Sequence, residues 1–263
     1  MTLKIGIFDS GIGGLSIAKV IWKRFQDAEI YYLADRKFAP YGELAEDEIT
    51  KRVKWCGDEL FKKNVDLIIV ACNTATAAGI ELLRKNLGIP IIGLEPDLNF
   101  YQRLSLEVDP ADICVMCTSY TLKSAKFKNL IERRDPDKKM VYKGMKNLAR
   151  LIENCFWEQG ARVENELLIV KHLNEEIQGQ AYKYIVLGCT HYELISTLIE
   201  NVTGAKTVGV SNAIASRCCD LFTSLESSLT RDADSCGGFF FCDSFNQEWE
   251  QIKLQDFLSW PRD

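Results

Sequence analysis

Long uncharged apolar stretches, which mark membrane-spanning helices, are missing from this 263-residue sequence. The longest one, residues 67–80, is shorter than a bilayer requires and contains asparagine and threonine. The first residues, Met-Thr-Leu-Lys, also lack the basic segment, the apolar segment and the cleavage site of a signal peptide. We therefore expect a cytoplasmic protein with no membrane partner.

Charge of one sign is not in large excess either. Lysine and arginine number 32, aspartate and glutamate 37, and the formal net charge is −5. Because no block of like charge occurs along the chain, we expect no nucleic-acid partner. Apolar residues make up 47% and charged residues 26%, which is typical of globular domains that bury a core.

Histidine is scarce, because His172 and His191 are the only two in the chain. A zinc site requires a second tight cysteine pair or a histidine cluster, so we expect no metal. We expect His172 to be exposed, since charged and polar residues surround it in the sequence. His191 instead lies two residues after a cysteine at the end of a predicted strand, which favours a functional role.

Ten cysteines are too few for a disulfide scaffold in a chain of this length. Cys114 and Cys117 have C-x-x-C spacing, but they lie along a predicted strand, where this separation points them to opposite faces. Cys218 and Cys219 are adjacent on a predicted helix and are expected to fill core space. These pairs therefore do not predict redox chemistry or metal binding.

Short apolar runs alternate with longer amphipathic stretches, a pattern that predicts an α/β fold with mostly parallel sheets. Amphipathic spacing predicts helices at residues 14–25 and 46–62, and the polar stretch 226–234 is predicted to be a loop. The predicted strands are residues 4–8, 30–33, 66–70, 91–94, 112–116, 168–170, 184–187 and 239–241.

Two short segments recur along the chain. Residues 68–73 match residues 185–190, which aligns Cys72 with Cys189, and residues 5–10 match residues 113–118. Both matches consist of a buried strand followed by a short polar residue. The recurrence indicates two related α/β halves, although an apolar strand followed by a small residue is a common βα pattern.

Polar side chains follow four of the predicted strands, at residues 9–11, 72–74, 118–121 and 189–191. Ligands of open α/β sheets bind beyond the carboxyl ends of the strands, and the helices that follow favour a carboxylate or a phosphate there. The Gly-Ile-Gly-Gly turn at residues 11–14 lacks the third glycine of a dinucleotide site and the lysine of a P-loop. These glycines serve either a ligand or only a tight turn. The predicted ligand is small, polar and anionic.

Four segments of the chain resemble glutamate racemase, in order and at family-like spacings: residues 9–15, Asp35 followed by Pro40-Tyr41-Gly42, residues 71–75 and residues 188–192. The resemblance implies a racemase without a cofactor that supplies D-glutamate for peptidoglycan and pairs as a homodimer. It also implies an α/β fold of two pseudosymmetric domains, each with a mostly parallel sheet flanked by helices. The domains are residues 1–97 plus 210–263 and residues 98–209, with the active site in the cleft between them.

The resemblance also implies the roles of individual residues. Cys72 matches the cysteine that takes the α-proton from D-glutamate, and Cys189 the one that takes it from L-glutamate. Asp9 matches the acid that assists the first cysteine, and His191 the group that assists the second. The implied substrate-binding residues are Asp9, Ser10, Pro40, Tyr41, Gly42, Cys72, Asn73, Thr74, Thr118, Thr121, Cys189, Thr190 and His191.

Two thiols on opposite faces of the α-carbon suit this chemistry, because one base would have to swing across the substrate to return the proton. The chain departs from the family pattern at Lys146 and Arg150, in a stretch that is usually apolar and contains proline, and at Glu193, which replaces a proline. Glu153 matches a family acid near the ammonium site.

Two alternatives stay open at this point. The first is a racemase of another acidic amino acid, chiefly aspartate, because the same thiol chemistry would serve it. The second is a binding protein that keeps the scaffold but has lost efficient catalysis. Retention of Cys72, Cys189, Asp9 and His191 argues against the second.

Overall fold

The structure, a computed structural model, describes residues 2–103, 108–158, 162–177, 180–225 and 237–253. Its first part contains β1 (Lys4–Asp9), α1 (Leu15–Arg24), β2 (Glu29–Ala34), α2 (Glu46–Phe61), β3 (Leu67–Val70), α3 (Asn73–Asn86) and β4 (Ile91–Gly93). The middle contains β5 (Ile113–Cys117), α4 (Ser119–Lys123), α5 (Ala125–Arg134), β6 (Val141–Gly144), α6 (Leu148–Trp157), α7 (Arg162–Ile177), β7 (Tyr184–Gly188), α8 (Thr190–Leu194), α9 (Ser196–Thr203) and β8 (Lys206–Val208). The last part contains α10 (Ser211–Leu225), β9 (Gly238–Asp243) and β10 (Trp249–Gln251). Short 3-10 helices lie at Arg36–Phe38, Tyr41–Glu43, Phe100–Arg103 and Pro110–Asp112.

These strands form two sheets. The first has the order β10-β9-β2-β1-β3-β4, and within the described residues only β10 runs antiparallel to its neighbour. The second has the order β6-β5-β7-β8 and is parallel throughout. Helices flank both sheets, so the predicted α/β class with mostly parallel sheets is confirmed. The division into domains at the stated boundaries stays a prediction.

Apolar side chains on both faces of each sheet explain why these strands are buried. In β3, Leu67 and Ile69 join the core on one face, while Ile68 and Val70 join the core on the other. Burying one such side chain contributes about 1.5–3 kcal/mol. A strand covered on both sides has a continuous apolar run, which is why β3 can be predicted from the sequence.

The recurring segments occupy equivalent places in the two sheets. β1 pairs in parallel with β3 in the first sheet, and β5 pairs in parallel with β7 in the second. Consequently β3 leads to Cys72 and β7 leads to Cys189 from corresponding positions. Both cysteines therefore lie at the carboxyl end of an inner strand.

The predicted strand at residues 168–170 is wrong, because this run lies inside α7. Asn165, Ile169, Leu173 and Ile177 are buried at four-residue intervals, which is helical periodicity, whereas Leu168 is 49% exposed. A short apolar run does not distinguish a strand from a helix, and here the wider spacing decides. The prediction missed β6, β8 and β10, which are short and only partly buried. The predicted loop at 226–234 lies outside the described residues.

Three of the four cysteines in the two pairs lie as predicted, whereas Cys219 does not fill core space. Cys114 belongs to the core on one face of the second sheet and Cys117 to the core on the other. Cys218 on α10 is fully buried in the core of the first sheet. Its neighbour Cys219 is half-buried and accepts a hydrogen bond from Arg24.

Candidate active site

Cys72 lies at the carboxyl end of β3 and caps the N-terminus of α3. Its sulfur accepts a hydrogen bond from the Ala75 N–H at 3.4 Å, and the thiol donates to the Ser10 hydroxyl at 3.7 Å. The residue is 6% exposed. Burial raises the pKa of the Cys72 thiol to about 12, and the charges of Asp9 and Cys189 act in the same direction. The thiol is therefore protonated at neutral pH unless a cation is placed beside it.

Asp9 lies at the end of β1, is fully buried and connects the two sheets. One carboxylate oxygen accepts from the Thr190 hydroxyl at 3.0 Å, and the other accepts from the Gly11 N–H at 2.9 Å. Burial raises the pKa of Asp9, although the charge of His191 opposes this shift. The Asp9–Thr190 hydrogen bond joins residues 181 positions apart.

Cys189 lies at the carboxyl end of β7 and is 7% exposed. Its sulfur is 4.0 Å from Nδ1 of His191, and Nε2 of the same imidazole is 2.7 Å from Oε2 of Glu153. Burial alone would lower the pKa of His191, but its hydrogen bonds with Cys189 and Glu153 raise it well above 6.5. The imidazole therefore carries a proton and a positive charge beside the second sulfur.

Glu153 on α6 holds this histidine in place. Its carboxylate accepts from the Ile12 N–H at 3.1 Å and from the Trp157 indole at 2.9 Å. Burial raises the pKa of Glu153, but hydrogen bonds from His191, Ile12 and Trp157 outweigh burial and lower it below 4.5. Glu153 is not one of the four catalytic residues that the sequence resemblance implies. A buried acid next to Ile152, on the apolar face of α6, is the signal that could have identified it.

Hydroxyl groups that follow strands of both sheets meet near Cys72, the first of the two candidate thiols; Cys189 is the second. The Thr74 hydroxyl lies 2.9 Å from that of Thr118 and 3.3 Å from that of Thr121, and the Thr118 hydroxyl donates to Thr121 at 3.0 Å. The turn containing Gly42 packs on this cluster so closely that a Cβ atom there would lie 2.7 Å from Cβ of Thr118. The structure thus brings the predicted Thr74, Thr118, Thr121 and Gly42 together.

Asn73, the residue after the first cysteine, is buried, and its amide N and O have no hydrogen-bond partner within the described residues. Buried amides almost always have partners in folded proteins. The unpaired amide therefore indicates a polar ligand next to Cys72.

Tyr41 and Pro40 lie at different depths. The Tyr41 side chain is fully buried, and its hydroxyl donates to Asp35 and contacts the Cys56 sulfur at 3.7 Å. Pro40 instead lines, with Gly42 and Thr118, a cavity of about 440 Å³. Of this segment, therefore, Pro40 and Gly42 face the cavity, whereas the Tyr41 ring supports the turn from inside.

The residues that depart from the family pattern also have defined contacts. Glu193 on α8 accepts a hydrogen bond from the Val210 N–H at 2.6 Å and another from the Ser211 hydroxyl, at the start of α10. Arg150 on α6 pairs with Glu43, with its Nε 3.2 Å from Oε2. Lys146 is exposed and lines the same cavity as Pro40.

The prediction that His172 is exposed is wrong. It is half-buried on α7, and its Nε2 is buried with no partner within the described residues. In the part of the chain that the structure describes, no group of three or more histidine, cysteine, aspartate or glutamate side chains could hold a metal ion. Among the described helices, none combines the length and the apolar character that crossing a lipid bilayer requires.

Comparison with known proteins matches residues 16–217 to the family model of Asp/Glu/Hydantoin racemase. The glutamate racemase of Aliarcobacter butzleri is 37% identical over 230 residues, which cover 83% of this chain and 84% of that protein. The crystal structure of Escherichia coli glutamate racemase in complex with L-glutamate and the activator UDP-MurNAc-Ala aligns with a TM-score of 0.77 and 25% identity, covering 92% of this chain and 89% of the other. The glutamate racemase structure from Aquifex pyrophilus aligns with a TM-score of 0.65 and 32% identity, covering 97% of this chain and 93% of the other.

The aligned crystal structures agree with the two mostly parallel sheets, and the family model and the relatives agree with the resemblance found in the sequence. The chain belongs to the Asp/Glu/Hydantoin racemase family, and it is an amino-acid racemase, an isomerase.

Proposed function

We propose that this protein interconverts L- and D-glutamate by moving the α-proton between Cys72 and Cys189, with no cofactor. The observation that carries the proposal is the position of these two cysteines. Each follows an inner strand of a different sheet, both are almost fully buried, and the Asp9–Thr190 hydrogen bond of 3.0 Å joins the strand ends of the two sheets. This arrangement fits a substrate held between two proton carriers.

At the first thiol, proton removal requires a thiolate. Burial and Asp9 raise the pKa of Cys72, so the thiol needs a positive charge nearby before it loses its proton. The ammonium group of an amino-acid substrate supplies that charge. The Ala75 N–H, 3.4 Å from the sulfur at the start of α3, also favours the anion. Thiolate formation is thereby coupled to substrate binding.

At the second thiol, the protonated His191 provides the positive charge from the protein. Its Nδ1 lies 4.0 Å from the Cys189 sulfur, and Glu153 holds Nε2 at 2.7 Å. The two sites thus differ in their source of charge. In this proposal Cys189 takes the proton from L-glutamate with the help of His191. Cys72 takes it from D-glutamate, and Asp9, whose pKa is raised by burial, helps by accepting the proton that the Cys72 thiol loses when substrate binds.

Neutral polar groups surround the same space. The unpaired Asn73 amide and the hydroxyls of Ser10, Thr74 and Thr118 can hold carboxylate and ammonium groups by hydrogen bonds. The predicted contacts of Pro40, Gly42, Thr121 and Thr190 complete the proposed binding site. The E. coli relative binds L-glutamate, which supports the choice of substrate.

The finer predictions belong to the same proposal. The substrate lies between two domains, residues 1–97 plus 210–263 and residues 98–209, because the contacts Asp9–Thr190 and Thr74–Thr118 join the strand ends of the two sheets. D-glutamate from this reaction supplies peptidoglycan. A cytoplasmic location suits catalysis by free thiols, which need a reducing compartment. The homodimer stays a prediction.

Racemisation in D₂O tests the proposal. Wild-type protein treated with a chelator and given no pyridoxal phosphate should convert both enantiomers of glutamate and incorporate α-deuterium. Cys72→Ser and Cys189→Ser should each lose racemisation by roughly 10²-fold to 10⁴-fold, because turnover needs a base on one face and an acid on the other. Aspartate turnover faster than glutamate turnover, or a requirement for an added cofactor, would contradict the proposal.

One-way elimination from a β-substituted glutamate analogue separates the two thiols. Racemisation cannot do so, because the equilibrium constant between enantiomers is one and kcat/KM must fall equally in both directions. Cys72→Ser should retain elimination from the L-analogue through Cys189, and Cys189→Ser should retain it from the D-analogue through Cys72. If either variant processed both analogues equally, the assignment of one thiol to each enantiomer would be abandoned.

A further inference from the structure

A cavity of about 440 Å³ lies beside the candidate active site. One side is formed by the turn with Pro40, Gly42 and Glu43, and the other by α4 and the start of α6. Thr118 lines it as well, so the cavity borders the hydroxyl cluster near Cys72. Its volume is within the range of small-molecule sites.

The charges around this cavity are mainly positive. Its charged lining residues are Glu43, Lys123 and Lys146, and the Glu43 carboxylate is already paired with Arg150. Both lysines are exposed, and neither has an ion-pair partner within the described ranges. The whole chain, by contrast, has a net charge of −5. An anion approaching the protein therefore meets local positive charge here against an overall negative background.

We propose that Lys123 and Lys146 form a capture site for the carboxylates of the anionic substrate at the entrance to the active site. This inference rests on the proposed function, because it assumes that a small dicarboxylate enters past Thr118. Lys146 lies just before α6 and lines this cavity. A lysine there adds attraction for an anion without changing the groups that move the proton.

Two flexible ammonium groups suit transient capture rather than rigid binding. Lysine is a hydrated point charge with three donors on a mobile stem, and it attracts a carboxylate without fixing its orientation. Exposed charges act over about 10 Å at 0.1 M salt and are screened at higher ionic strength. The site should therefore increase the capture of substrate and leave the chemical step unchanged.

Steady-state kinetics of the double variant Lys123→Gln/Lys146→Gln test the proposal. At 10–20 mM ionic strength, KM for both glutamate enantiomers should rise by roughly 3-fold to 10-fold, with kcat within twofold of wild type. The difference should disappear by about 0.5 M KCl, because the attraction is screened. The matched control is Lys85→Gln/Lys128→Gln, which removes two exposed lysines on α3 and α5 that do not line the cavity.

A second readout does not depend on racemase activity. Iodoacetate is an anion and iodoacetamide is neutral, and both alkylate thiols. The rate with iodoacetate divided by the rate with iodoacetamide, measured at Cys72 and Cys189, therefore reports the charge at the entrance. The ratio should fall in the lysine double variant and stay at the wild-type value in the control. If wild type does not racemise glutamate, the proposed function fails, while this ratio still tests the lysines.

Three results would overturn the inference: an unchanged KM with an unchanged alkylation ratio, an equal effect in the control variant, or a KM difference that persists at high salt. The last result would mean that the lysines act through shape rather than charge.

Discussion

At the scale of single residues, the pair formed by His191 and Glu153 distinguishes the second thiol from the first. Glu153 accepts hydrogen bonds from His191, Ile12 and Trp157, which keep its carboxylate ionised although it is buried. A buried ion pair costs desolvation energy, and removing one partner leaves the other charge uncompensated. The protonation state of His191 therefore depends on Glu153.

The variant Glu153→Gln should shift the pH profile of racemisation. Glu153 raises the pKa of His191, so the protonated imidazole persists above pH 6.5 and is lost only as pH rises through that raised pKa. Without the carboxylate, the alkaline limb of kcat/KM should move to lower pH by about one unit or more. Glu175→Gln, an exposed change on α7, serves as the control. An alkaline limb at the wild-type position in Glu153→Gln would refute the role of His191.

At the scale of elements, a buried hydrogen-bond network beside α2 holds the short 3-10 helix Tyr41–Glu43 in place. Asp35 is fully buried and receives two hydrogen bonds from Arg52, each at 2.8 Å, and another from the Tyr41 hydroxyl. Burial and the nearby Cys56 and Asp35 raise the pKa of Tyr41, so its hydroxyl remains a donor. This network sets the position of Gly42 against Thr118.

The variant Tyr41→Phe should therefore weaken substrate binding. Tyr142→Phe is a matched control, because the Tyr142 hydroxyl also donates to a buried aspartate, Asp135, at 2.8 Å, but in the second sheet's layer. Both variants should lose about 0.5–1.5 kcal/mol in urea unfolding, the usual contribution of one hydrogen bond. Only Tyr41→Phe should raise KM, by about fivefold or more, or about 1 kcal/mol. Equal KM values in the two variants would show that the hydrogen bond between Tyr41 and Asp35 stabilises the fold without affecting substrate binding.

At the scale of the whole molecule, the carboxyl ends of the two sheets approach so closely that glycine is required between them. A Cβ atom at Gly13 would lie 2.5 Å from Nδ1 of His191 and 2.7 Å from its backbone N. A backbone atom cannot move away as easily as the end of a flexible side chain. Because Gly13 has no side chain, the turn after β1 can pack against α8, the helix that follows Cys189.

The variant Gly13→Ala should separate these strand ends and lower kcat/KM by roughly 100-fold, because displacement by about 1 Å is enough for such a loss. Gly88→Ala is the control, since a Cβ atom there would meet no atom within 4 Å. Activity assays together with far-UV circular dichroism distinguish a displaced site from an unfolded chain. Full activity in Gly13→Ala would show that the observed approach of the two sheets is not needed for turnover.

Local patterns were sufficient to predict much of this protein. The apolar runs of β1, β3, β5 and β7 and the polar residues that follow them are determined by burial on both faces of a parallel sheet, which leaves a direct trace in the sequence. The opposite faces of Cys114 and Cys117 follow from the two-residue period of a strand. The predicted strand at 168–170 is wrong, because the burial of these residues depends on which face of α7 packs against α6 and α9.

Which distant groups meet depends on the packing of the folded chain. Asp9 and Thr190 are 181 positions apart and His191 and Glu153 are 38 apart, yet each pair forms a hydrogen bond. No local periodicity encodes such pairings. The Asp9–Thr190 contact depends on how the two sheets face each other, and the His191–Glu153 contact depends on how α6 packs against α8. The two cysteines and the strands that carry them, in contrast, follow from local sequence patterns alone. The charge on the second thiol's histidine arises from packing, since a buried imidazole keeps its proton only when folding places a carboxylate beside it.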